Sequence, residues 1–270
     1  MNSFRAPFYL DNKRWFVTCA YNPRFRAIWL HTTPIYGIEY NSPIRCEVSW
    51  IDNICRITQR PIHEEVNIIA DETPFGILNL CVYHIENRGA QHLADALQHN
   101  MTITSLDLHD NKVQDEGVEH LAAALRHNKT LTTLNLLRNK IGDRGAQYLA
   151  DALRYNTKLI CLNLLGNEVG NQGAQYLANA LQYNETLTTL HLWNNKIEDQ
   201  GVRSFATALQ HNKILEILDL SGNPIGDEAA DHIANILLDN TTLKQLWLWN
   251  NNISSELREY FKNQDNRVQC

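Results

Sequence analysis

No run of 18 apolar residues occurs anywhere in the 270-residue sequence, so no segment has the length and character of a bilayer-crossing helix. The opening stretch, MNSFRAPFYLDNKRWF, meets charged residues before any long apolar core can form, and it does not read as a secretory leader. Six cysteines, at positions 19, 46, 55, 81, 161 and 270, show neither C-x-x-C spacing nor the density of a disulfide framework. The expectation is a soluble, reduced, cytoplasmic chain with no membrane partner. A basic excess is also missing. The formal charge is −6, and residues 1–73 balance 8 Lys or Arg against 8 Asp or Glu, so the negative excess lies wholly in residues 74–270. That argues against nucleic acid as a partner.

Catalytic signatures are absent too. There is no G-x-x-x-x-G-K-S/T phosphate loop, no H-E-x-x-H and no G-x-S-x-G, and no cysteine or serine stands in a recognisable nucleophile motif. The reading is a non-enzymatic chain, with no cofactor, no metal and no small-molecule substrate. Five formal glycosylation triplets begin at Asn100, Asn128, Asn184, Asn240 and Asn252. Four of them arise only because a recurring asparagine stands two residues before a recurring threonine.

What is present is a repeat. TLTTLNLLRNKIGDRGAQYLADALRYN from Thr130 nearly copies itself from Lys158 and again from Thr186, and the same register extends without insertion from Pro74 to Cys270 as seven units of 28 residues. A period of this length signals a solenoid. Within each unit the spacing x-L-x-x-L-x-L, as in Leu131, Leu134 and Leu136, alternates as a short strand requires. Stacked units would align Leu106, Leu134, Leu162, Leu190, Leu218 and Leu246 in one buried column, and Leu108, Leu136, Leu164, Leu192, Leu220 and Leu248 in another. The sheet must be parallel, because each strand is followed by a return segment.

That return is helical by its own pattern. Ala146, Leu149, Ala150, Ala152 and Leu153 recur on one face. Asn100, Asn128, Asn156, Asn184, Asn212 and Asn240 then end the helices at one fixed place, where a left-handed C-terminal cap is expected. Strands pack about 4.8 Å apart whereas helices need about 10 Å, so the units must curve with the sheet inside. The column Asn111, Asn139, Asn167, Asn195, Asn223 and Asn251 is a structural asparagine ladder, its amides serving backbone groups at the strand ends. Tyr83 holds that register in the first unit, so the ladder should begin at Asn111.

The pattern L-x-x-L-x-L-x-x-N-x-I-G-D-x-G-A-x-x-L-A-x-A-L-x-x-N resembles the ribonuclease-inhibitor class of leucine-rich repeat, found in ribonuclease inhibitor, in the sensor ends of NOD-like receptors and in Ran GTPase-activating proteins. The resemblance covers 197 of the 270 residues. It implies an α/β leucine-rich-repeat solenoid, a curved horseshoe with an inner parallel sheet and outer helices. It also implies three functional expectations: a protein-binding module, a GTPase-activating regulator of a small GTPase, or a sensor fragment related to NOD-like receptors. In those receptors a nucleotide-binding domain precedes the repeats, and residues 1–73 are too short to be one.

Residues 1–73 hold five of the seven prolines and 11 of the 23 aromatics. Short apolar runs at 15–17, 27–30, 35–38 and 46–51 are separated by Asn22-Pro23, Thr33-Pro34 and Ser42-Pro43, which reads as turns between strands. Three accounts compete for this N-terminal segment: a small β-rich cap, a poorly ordered tail, or the remnant of a larger module. The seventh unit keeps its strand but replaces the alanine-rich helix by SSELREYFKNQDN, the polar outer face that a C-terminal cap needs. Ser254 or Ser255 resembles its helix start.

If the fifth and seventh positions of a unit point inward, the sixth and eighth must point out of the concave sheet. The sixth column reads Asn79, Asp107, Asn135, Asn163, His191, Asp219 and Trp247, and the eighth Cys81, His109, Leu137, Leu165, Trp193, Ser221 and Trp249. Three tryptophans therefore share one surface near one end of it. Interface hot spots are enriched in tryptophan, so Trp193, Trp247 and Trp249 are candidate anchors for a protein partner. His191 and Asp219, with Asp107 and His109 further along, are candidate polar contacts. A fold-back of the C-terminal tail or of residues 1–73 over Trp247 and Trp249 is the competing account. His99, His127 and His211 share a register with Tyr155 and Tyr183, which reads as a loop column of flat side chains, not a metal site.

Overall fold

In the computed structural model the described residues are 3–10, 13–22 and 27–34, as strand backbone, and 76–81 and 85–270 in full. The first three segments form β1 (Ser3–Leu10), β2 (Lys13–Asn22) and β3 (Ala27–Pro34), an antiparallel sheet in the order β1-β2-β3. Two of the four expected apolar runs fall in it, 15–17 in β2 and 27–30 in β3. The runs at 35–38 and 46–51, and Tyr83, lie outside the described residues. Thr33-Pro34 is the end of β3 and not a free turn, with Pro34 opposite Trp15.

The repeats build the second sheet. Its strands are β4 (Ile77–Asn79), β5 (Ser105–Asp107), β6 (Thr133–Asn135), β7 (Cys161–Asn163), β8 (Thr189–His191), β9 (Ile217–Asp219), β10 (Gln245–Trp247) and β11 (Val268–Gln269). All eight run parallel, in order, in one open sheet. Leu78, Leu106, Leu134, Leu162, Leu190, Leu218 and Leu246 stand opposite one another from strand to strand. Each is buried, as are the leucines two residues on.

Among the described residues seven helices alternate with these strands: α1 (Asn87–Leu97), α2 (Asp115–Leu125), α3 (Asp143–Leu153), α4 (Asn171–Leu181), α5 (Asp199–His211), α6 (Asp227–Leu237) and α7 (Ser255–Gln264). In α3 the buried face is Gly145, Ala146, Leu149, Ala150, Ala152 and Leu153, the pattern that the sequence sets out. Helix follows helix in packing order, on the outside of the sheet. Among the described residues no helix is long and apolar enough to cross a membrane.

The asparagines that follow the helices correct one expectation. None has a positive φ; the left-handed non-glycine residues are Asp110, Arg138, Lys140, Asn194 and Asn250. Asn212, for one, is extended at φ −72° and ψ 126°. These asparagines instead form a second buried ladder. Asn156 Nδ2 donates to the Leu125 carbonyl at the end of the previous helix, and its Oδ1 accepts from the N–H groups of Lys158 and Leu159. Asn128, Asn184, Asn212 and Asn240 repeat this arrangement. A side chain that ties a helix end to the next strand needs no left-handed backbone. It also follows that Asn100, Asn128, Asn184 and Asn240 are buried, whereas Asn252 alone of the five triplet asparagines is exposed.

A third ladder caps the helices from outside. Asp115 Oδ1 accepts from Gly142 N–H at the start of α3, Asp143 Oδ1 from Gly170 and Gly173, Asn171 Oδ1 from Glu198 and Gly201, and Asp199 Oδ1 from Gly226. Orphan N–H groups at a helix start are usually met by its own N-cap side chain. Here the first helical residue of one repeat meets those of the next, so helix capping and repeat stacking are one interaction.

The C-terminal end adds a strand that the repeat pattern does not announce. Val268 pairs with Leu246 and Gln269 with Trp247, continuing the sheet beyond the seventh unit. Arg267 holds it there, donating to the Leu237 and Asn240 carbonyls while paired with Asp265. Ser254 is the N-cap of α7, its Oγ accepting from Leu257 N–H.

Candidate binding face

The strand ends set the geometry of the concave face. After each three-residue strand the chain must turn, and the residue before the ladder asparagine takes the left-handed region: Asp110, Arg138, Gly166, Asn194, Gly222 and Asn250, with φ between 51° and 66°. The ladder asparagines then collect the carbonyls left behind. Asn167 Nδ2 donates to Leu136 and Leu164, and its Oδ1 accepts from the N–H groups of Asn139 and Ile141. Its equivalents from Asn111 to Asn251 are all buried.

The sixth column has a structural job of its own. Asn79, Asp107, Asn135, Asn163 and Asp219 each use Oδ1 to accept the N–H of the residue two further on, the short-range turn that Asn and Asp side chains favour. His191 and Trp247 break that rule. In β10, where Trp247 offers no acceptor, the buried Ser221 hydroxyl of the neighbouring strand accepts the N–H of Trp249 at 3.2 Å.

These two exceptions are brought together around Asp219. His191 and Trp247 stand on either side of it, in register on β8 and β10. The His191 and Trp247 rings lie 5.9 Å apart at a tilt of 33°. His191 Nδ1 is 3.6 Å from Asp219 Oδ2. The Asp219 carboxylate, and after it the Cys161 thiol, pushes the imidazole up to about 9, against a smaller opposing effect of burial. His191 is therefore a cation at neutral pH, with an indole on one side and a buried carboxylate as its counter-ion.

The seven candidate contact residues are not equivalent. Trp193 and Trp249 are 43% and 48% exposed, so both indoles reach solvent. Trp247 is half-buried, and its Nε1 is fully buried without an acceptor among the described residues. Asp219, read from the sequence as an outward polar contact, is buried, because the larger side chains of the flanking strands close over it. Asp107 and His109 sit four strands away on β5 and its turn, where Asp107 Oδ1 accepts from Asn135 Nδ2 at 3.0 Å and lies 2.9 Å from His109 Nδ1.

Two leucine-rich-repeat models match the sequence, one over residues 99–122, 127–150, 155–178, 183–206 and 211–234, the other over 242–264. Together they take in more than half of the chain. The chain belongs to the leucine-rich-repeat family. No curated protein matches it. Among solved structures, the leucine-rich-repeat fold is similar to one titled "Leiomodin-1 Actin-Binding Site 2", at 21% identity over 54% of this chain and 86% of that one, with a TM-score of 0.46. The tropomodulin C-terminal domain of Caenorhabditis elegans aligns at 16% identity over 57% of this chain and 92% of that one, TM-score 0.46. A pollen receptor kinase 3 aligns at 18% identity over 61% and 68%, TM-score 0.36.

Sequence reasoning passed over two residues at this end of the leucine-rich-repeat sheet. Ser221 stands in the eighth column, but its hydroxyl has a role only because Trp247 leaves the Trp249 N–H unserved. Gly222 has φ +63°, and a Cβ there would lie 2.6 Å from both Cδ1 and Nε1 of Trp193. The indole of Trp193 thus lies across Gly222, and Trp249 flanks the same small residues from the other side. A glycine at the left-handed position of its column was the available signal. Just past the helix C-termini, Arg126 lies over the Tyr155 ring at 5.4 Å and Arg154 over Tyr183 at 4.8 Å, so each of these tyrosines of the His99 column is covered by an arginine of the preceding repeat. Among the described residues no group of three or more His, Cys, Asp or Glu side chains is placed to hold a metal ion.

Proposed function

We propose that this leucine-rich-repeat chain is a protein-interaction module and that its partner docks on the concave sheet around Trp193 and Trp249. The observation that carries the reading is the exposure of two indoles on adjacent sides of Ser221 and Gly222. Exposed tryptophan on a rigid, hydrogen-bonded sheet offers a large apolar area whose ordering cost has already been met by the fold. Trp247, His191 and Asp219 act as the floor that holds this surface, and Asp107 and His109 extend it. The strand-plus-helix unit of 28 residues supports assignment to the ribonuclease-inhibitor class of repeat.

Alanine at both Trp193 and Trp249 tests it. Affinity capture from lysate, compared between wild type and the double variant, should lose a defined set of proteins while the melting temperature stays within a few degrees. Equal capture by both forms would sink the reading.

A further inference from the structure

The chemistry of the concave face narrows the partner. Positions four, six and eight of every repeat, from Ile77 to Trp249, include no lysine and no arginine. The carboxylates there are Asp107 and Asp219, each with a histidine at hand. His191, itself 24% exposed, is paired with the buried Asp219. Within these columns an anionic partner would meet no lysine or arginine, and the His191 imidazolium is already paired with Asp219. A wholly apolar partner would strip water from Asp107, which is 24% exposed. Indole faces, by contrast, attract ammonium and guanidinium groups through their quadrupole, and tryptophan does so best of the aromatics. The negative excess of the repeats adds a long-range field of the same sense.

We infer that the concave sheet takes an extended basic segment of its protein partner, with one cationic side chain against Trp193 and Trp249 and a second at Asp107. This rests on the concave-face reading above. The two points are four strands apart, roughly 19 Å at about 4.8 Å per strand. An extended chain covers that span in about six residues. The segment therefore crosses the strands with two basic side chains about six positions apart. A histidine in place of a stronger cation would bind only where it is protonated.

The test is selection of random twelve-residue peptides on the immobilised full chain, followed by calorimetric titration of those enriched. Enriched peptides should carry Arg or Lys pairs at that spacing. Trp193→Ala and Trp249→Ala should each weaken them by roughly 3- to 30-fold. Asp107→Asn keeps the turn acceptor and removes only the charge, and it should weaken them by up to about fivefold, as should added salt. Peptides that are apolar, proline-rich or acidic, need the tryptophans and ignore Asp107→Asn would overturn the basic-segment inference and leave the concave-face reading standing. Peptides indifferent to both tryptophans would overturn both.

Discussion

Ser221 Oγ accepts the backbone N–H of Trp249 at 3.2 Å, across two strands, a duty that β4, β5, β6, β7 and β9 give to an Asn or Asp two residues earlier in their own repeat. The tryptophan at 247 is tolerated because the neighbouring repeat supplies the missing acceptor. Trp247 and Ser221 are thus coupled, and with them the position of the exposed Trp249 indole.

Replacing Ser221 by alanine should cost about 1–2 kcal/mol, the penalty for leaving a backbone donor without its acceptor in a half-buried place. Urea unfolding measures it. A double replacement, Ser221→Ala with Trp247→Asn, should recover most of the loss, because the asparagine can accept the Trp249 N–H itself. Simple additivity of the two changes would contradict the coupling.

Gly222 and Gly166 both have a positive φ, but a Cβ at Gly166 would meet the flexible Arg138 side chain, at 2.9 Å, while one at Gly222 would meet the Trp193 indole. Alanine at either should cost about 1–2 kcal/mol for the left-handed backbone. Only Gly222→Ala should also shift tryptophan fluorescence and reduce partner capture. Identical spectra for the two variants would show that Trp193 is not seated on Gly222.

An interior ladder asparagine should be far more sensitive. Asn167→Ala removes three donor and two acceptor contacts in a buried site, and about 3–5 kcal/mol of stability should go with them. Asn156→Ala, in the second ladder, should fall in the same range. A loss near 1 kcal/mol at Asn167, read from denaturant midpoints, would mean that water replaces the side chain.

The pH response follows from His191, raised from 6.5 to about 9. Between those values the folded chain holds a proton that the unfolded chain has released, so stability falls as pH rises. The contribution is present in full below pH 6.5 and lost through pH 9. Melting temperatures from pH 6 to 9.5 should therefore decline more in wild type than in His191→Gln. A steeper decline in the variant would reverse the assignment.

Much of this protein is legible from its period. The leucine columns, the parallel order and the alanine-lined helices follow because a repeat of fixed length can bury its apolar face only against its own copy. The inward and outward alternation likewise puts Trp193 and Trp249 on one face. The column at Asn156 misled, since an asparagine after a helix suits either a left-handed cap or a side-chain bridge, and only the position of the neighbouring carbonyl distinguishes them.

What the sequence by itself determined is thus the period, the core and the identity of the concave columns, all properties of spacing along the chain. Only the tertiary structure decided that Asp219 is buried while Trp193 and Trp249 are exposed, that one repeat caps the helix of the next, and that Val268 and Gln269 extend the sheet. Each of these depends on which side chains of different strands meet, and their sizes settle the outcome. A large indole closes over a small carboxylate, and a glycine leaves room for the ring beside it.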